Sequence, residues 1–131
     1  GEDPDADPTA RRFLEALRET IAASGRKVCL VAGADLAHVG PRFGDPEPVT
    51  GPWLRTGEAE DRAMLETVTA LDPAGFVDSV AKDGDRRRIC GLSPIYALLK
   101  TVEARTGVLL RYAQWPDPQG TVTFASVAFS S

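Results

Sequence analysis

The sequence predicts an α/β fold, a three-layer arrangement with a mixed sheet whose elements run in the order α-β-α-α-α-β-β. Three observations lead there. Several segments carry apolar residues at helical spacing behind capping or proline start signals. Residues 27–34 form a short continuous apolar run, the pattern of a strand buried on both faces. Residues 108–115 and 121–129 are strand-like, and the short turn between them favours an antiparallel hairpin.

Taken in order, residues 1–8 are acidic with two Asp-Pro steps and read as a linker or mobile terminus, leaving 9–131 as the folded part. Asp7 can cap a helix that starts at Pro8. Phe13, Leu14, Leu17 and Ile21 give it one apolar face, and Gly25 closes it. The apolar run at 27–34 follows, with Cys29 placed in the core. Residues 44–57, rich in proline and glycine around Trp53, read as a loop long enough to be a lid or binding loop. Thr56 then caps a second helix with a stripe of Met64, Leu65, Val68 and Leu71. Asp72-Pro73 opens a short third helix with Phe76, Val77 and Val80. Ser93-Pro94 opens a fourth that buries Ile95, Leu98, Leu99 and Val102.

A chain of 131 residues is one domain at most. Three strands make a narrow sheet, and the apolar run has no evident partner strand. The chain therefore reads as part of something larger, its partner being a missing N-terminal half or a second copy. The net charge of −4 argues against nucleic acid, which calls for a dense basic face. Arg86-Arg87-Arg88 is flanked by Asp83 and Asp85 and reads as a solvated loop, with an anion site as the sharper alternative. No apolar run approaches the roughly 20 residues of a membrane span, and no signal peptide opens the chain. The two cysteines, Cys29 and Cys90, do not form a disulfide framework, so the expected compartment is the cytoplasm.

Three residues carry the candidate chemistry. Asp35 and His38 lie just past the carboxyl end of the apolar run, where open α/β sheets put their ligands. His38 is the only histidine, the one side-chain type whose unperturbed pKa lies near neutrality. Cys90 precedes a glycine and a helix start, an environment that favours the thiolate. Three readings stay open on these residues alone. Cys90, His38 and Asp35 could form a thiol-hydrolase triad. Cys90 could ligate a metal with His38 as a neighbouring acid or base. Or His38 is a satisfied loop histidine and Cys90 a small buried residue. A metal site built from Cys and His takes three or four ligands, so the remainder would have to come from elsewhere.

The strings themselves resemble a known family. Residues 31–43, VAGADLAHVGPRF, are similar to a Memo-family stretch in which S-S-D, a hydrophobic residue, x-H-x-G-x-R-F follows a strand. Residues 89–95, ICGLSPI, resemble the family's I-C-G-x-x-P-I. Leu71-Asp72-Pro73, Tyr112-Ala113-Gln114 and the closing VTFAS at 122–126 are similar to what lies between and after them. Gly33 and Ala34 stand where the family often has serines, and Ser93 where some relatives have histidine. The resemblance implies a fold like the class III extradiol dioxygenases and covers the second half of the family's length. It implies a metal pocket of iron or copper, made from two histidines of the N-terminal half and one cysteine at the position of Cys90. It implies that Asp35 orients His38 as the acid/base pair beside that metal. It also makes Arg42, Gly91 and Tyr112 candidates to contact a substrate or anion. Members of that family are linked to metal-dependent redox chemistry and, in animals, to binding phosphorylated peptides, and in microbes they co-occur with a radical-SAM protein and an AMMECR-type protein. On this reading the isolated chain is inactive, and a peptide or anion module is the alternative.

Overall fold

A computed structural model describes residues 4–131. The first helix, α1, runs Pro8–Ala23, and the Asp7 carboxylate accepts the Thr9 N–H at 2.8 Å, the cap that the Asp-Pro step predicts. Ser24 closes it and Gly25 follows at φ +63, a turn that favours glycine. Of the predicted apolar face only Leu14 is buried, while Phe13 is largely exposed. Residues 1–3 of the expected linker lie outside the described residues. Pro4–Ala6 forms a 3-10 turn, and Asp5 accepts hydrogen bonds from Tyr96 and Lys100.

The predicted strand at 27–34 does not form. These residues are mostly exposed, Cys29 among them, and their backbone makes no hydrogen bond to any other described residue. An apolar run becomes a strand only when neighbouring strands take up its N–H and C=O groups, and here none lies alongside. Pairing begins at residue 36, and the strand β1 is His38–Val39.

Helix α2, Gly51–Thr69, begins earlier than expected. Thr50, not Thr56, caps it by accepting the Trp53 N–H at 3.4 Å, so the loop is correspondingly shorter. Met64, Leu65 and Val68 are buried as the stripe predicts. Asp72 caps α3, Pro73–Ala81, through the Gly75 N–H, and Phe76 is fully buried. Helix α4, Leu92–Thr101, starts from Gly91 with no side-chain cap, so Ser93 does not play that part. Strands β2, Thr106–Trp115, and β3, Thr121–Ser130, form the predicted hairpin, with a bulge between Leu109 and Arg111.

The α/β class and the element order hold. The sheet, in the order β1-β3-β2, is antiparallel throughout rather than mixed, because the strand expected to supply a parallel partner is unpaired. Leu109, Tyr112, Ala125, Val127 and Phe129 face the core of Met64, Leu65, Val68, Phe76, Tyr96 and Leu99. The opposite face exposes Val108, Leu110, Trp115 and Phe124. The described residues therefore supply two of the three expected layers. No described helix is long and apolar enough to cross a membrane.

Candidate metal centre

Asp35, His38 and Cys90 converge. One potential ligand atom from each lies within 4.8 Å of the others. Residues 36–38, which follow Asp35 and end in His38, are fixed between β3 and the loop before α4. Leu36 N–H donates to the Thr123 carbonyl at 2.8 Å, Thr123 N–H returns a bond to Ala37, and the Thr123 hydroxyl takes the Ala37 N–H. From the other side, His38 N–H donates to the Arg87 carbonyl at 2.7 Å and Cys90 N–H to the Leu36 carbonyl at 3.3 Å. Leu36, Ala37, Val39 and Ile89 are buried beneath these contacts, which makes the platform rigid.

Gly91 belongs to the same platform. A Cβ built there would stand 2.6 Å from the Asp35 carbonyl oxygen and 2.8 Å from Ile95 Cδ1. Only glycine lets the start of α4 approach residue 35 so closely. The role this gives Gly91 is close packing.

The imidazole of His38 is held through one nitrogen. Nδ1 lies 3.2 Å from the Leu36 carbonyl and 3.3 Å from the Arg88 carbonyl. Both partners only accept, so Nδ1 carries the hydrogen and Nε2 keeps its lone pair. Phe43 meets the ring edge-on at 5.1 Å. No hydrogen bond joins Asp35 to His38 among the described residues, so these two carbonyls set the ring's orientation in place of the carboxylate. The Cys90 thiol faces the Asp35 carbonyl at 3.5 Å, not the imidazole. His38 is half-buried; Asp35 and Cys90 are exposed and open to whatever approaches from outside.

The arginine loop behind the site is not simply solvated. Arg87 is buried and ion-paired with the fully buried Asp61 and with Glu60. Asp61 also accepts the Tyr112 hydroxyl at 2.7 Å. Burial and that carboxylate push the Tyr112 phenol far above its ordinary range, so it stays a proton donor. Arg88 reaches Asp45 at 2.9 Å and donates to the His38 carbonyl at 3.2 Å, while Asp45 also holds the Gly40 N–H. The guanidinium holds the Asp45 carboxyl below the usual carboxylate range. Arg42 pairs with Asp117 at 3.6 Å, and Arg86 with Glu60 and Asp83. Among the candidate contact residues, Tyr112 thus serves the buried pair, and Arg42, in the 3-10 turn at 41–43, is paired with the turn between β2 and β3. The sequence contained one signal for this network: Asp61 shares a helix face with Met64, Leu65 and Val68, and a carboxylate on an apolar stripe requires a buried partner.

The donor set fits a transition metal. Neighbouring donors on a tetrahedral metal stand about 3.5 Å apart, so small rotations of the exposed Asp35 and Cys90 side chains would bring the three into range. A thiolate, an imidazole and a carboxylate are all ligand types that first-row transition metals accept.

Comparison with known proteins gives two findings. A family model described as Memo-like protein matches residues 4–131. A protein described as a MEMO1 family protein from Methanopyrus kandleri is 28% identical over 128 residues. That alignment covers 92% of this chain and 40% of the relative, so the chain spans well under half the relative's length.

Proposed function

The chain belongs to the Memo-like protein family, and we propose that it contributes Cys90, His38 and Asp35 to a metal-dependent oxidoreductase site completed by the rest of a longer protein. The observation that carries this reading is the convergence of the three ligand atoms within 4.8 Å on one platform. Cys90 supplies a thiolate ligand to iron or copper. The metal, when bound, supplies Lewis-acid and one-electron chemistry. His38 acts as the acid or base: its free Nε2 accepts a proton while the two carbonyls on Nδ1–H hold the ring in place. Asp35 places a negative charge beside both and is near enough to serve as a second donor beside Cys90.

With Nε2 of His38 kept for proton transfer, Cys90 leaves coordination positions for groups from outside this chain, and the exposed side of the site is where they would enter. By ligand count, the 131 residues alone are expected to be inactive. The arginine pairs support this reading over an anion site, because Arg42, Arg86, Arg87 and Arg88 each already have a carboxylate partner. The thiol's orientation supports it over a hydrolase triad, because Cys90 bonds the Asp35 carbonyl and not His38. The test is the iron and copper content of the whole protein with and without Cys90→Ser. Loss of metal in the variant is the expected result, and equal metal in both overturns the assignment.

A further inference from the structure

Residues 28–34 and the second half of β3 do not touch along their length; a cleft of about 620 Å³ separates them. Its floor is apolar, made by Leu65, Val68, Ile95 and Leu98 of α2 and α4. Both walls are backbone with unused hydrogen-bonding groups. On the near wall, residues 27–34 make no backbone hydrogen bond to any described residue, and Val28 and Val31 are exposed. The far wall follows from the alternation of an antiparallel strand, in which every second residue turns its N–H and C=O to the same edge. Thr123 faces residues 36 and 37, whereas the Ser130 carbonyl accepts the N–H of Arg105 on the β2 side. Ala125, Val127 and Phe129 therefore present their N–H and C=O to the cleft.

A gap with an apolar floor between two open strand edges has the shape of a missing strand. From the usual strand and sheet spacings one β residue occupies about 160 Å³, so the cleft has room for about four residues. We infer that the cleft receives one extended apolar segment from the part of the whole protein that this chain does not span. The occupant follows from two observations. The aligned relative has the larger share of its length outside the match, and a run that is apolar on both faces needs a covered, strand-paired neighbour. β1, which continues residues 28–34, is antiparallel to β3, so a segment that runs parallel to 28–34, the usual pairing of a run apolar on both faces, is antiparallel to β3. Its carboxyl end then arrives beside Asp35, His38 and Cys90. The docking itself does not depend on a metal being bound there.

The experiment compares amide hydrogen exchange in the 131-residue chain alone and in the whole protein, both in chelator so that metal plays no part. The N–H groups of Ala125, Val127 and Phe129 and of residues 28–34 are expected to exchange at least about tenfold more slowly in the whole protein. Equal exchange in both overturns the inference. Protection in the isolated chain that appears with dimer mass overturns the stated occupant, because a second copy then fills the cleft. Val127→Pro removes one donor from the cleft edge and none from the β2 pairing. It is expected to weaken binding of the separately expressed remainder about tenfold, and unchanged binding by the folded variant counts against the inference. Should that variant fail to fold, the exchange comparison on unaltered protein decides.

Discussion

Nδ1 of His38 lies 3.3 Å from the carbonyl oxygen of Arg88, a residue fifty positions later in the chain. With the Leu36 carbonyl on the same nitrogen, this contact fixes both the ring's tilt and its tautomer. The reactive nitrogen is thereby Nε2, and the loop between α3 and α4, which carries the buried Arg87, becomes part of the site.

The tautomer can be observed directly. Nitrogen NMR of the neutral imidazole is expected to show the hydrogen on Nδ1. A hydrogen on Nε2 would mean that the carbonyls do not set the ring, and Nε2 could then serve neither as base nor as ligand.

The Arg87–Asp61 pair should behave as buried ion pairs do. Removing one partner leaves an uncompensated charge, so Arg87→Ala or Asp61→Ala is expected to cost about 3–5 kcal/mol in denaturant unfolding. Replacing both by apolar residues of similar size is expected to cost much less. Additive losses in the double variant would contradict the pairing.

Asp45 provides a pH signature. Its folded pKa is depressed, first by the hydrogen bond from Arg88, so its contribution is present above the ordinary carboxylate range and is lost as pH falls through the folded value. Arg88 is partly solvated, which limits the effect to about 1 kcal/mol. Asp45→Asn should therefore destabilise the chain at neutral pH, with the difference from the unaltered protein shrinking in acid. A difference that grows in acid would reverse the sign of the argument.

Gly91→Ala tests the platform. Its Cβ would meet the Asp35 carbonyl oxygen, so α4 or residue 35 must shift. A loss of about 1–3 kcal/mol is expected in thermal or denaturant unfolding, together with weaker metal binding. Unchanged stability and metal affinity would show that the close approach is not needed.

Much of this was legible in the sequence, for reasons that differ by element. Asp7-Pro8 and Asp72-Pro73 announce α1 and α3 because a cap and a proline act locally. The same signal, Thr50 with Pro52, marks the true start of α2, but the surrounding prolines and glycines masked it as a loop. The hairpin was readable because its turn is short. Residues 27–34 were misplaced because a buried strand is a property of its neighbours as well as of its own apolar run, and no described strand lies alongside them. For the site, the position of Asp35 and His38 past an apolar run and of Cys90 before a helix start made them candidates, the family resemblance grouped them, and the fold brings them together. The carbonyls that orient His38 could not be read, since backbone contacts leave no trace in residue type.

The central claim is that Cys90 ligates a transition metal beside His38 and Asp35. Titration of the chain with cobalt(II) tests it most directly, because thiolate coordination produces a strong near-ultraviolet charge-transfer band. The account predicts that the band forms in the unaltered chain and in Cys29→Ser, and that it disappears in Cys90→Ser. A band that persists in Cys90→Ser, or that depends on Cys29, would contradict it.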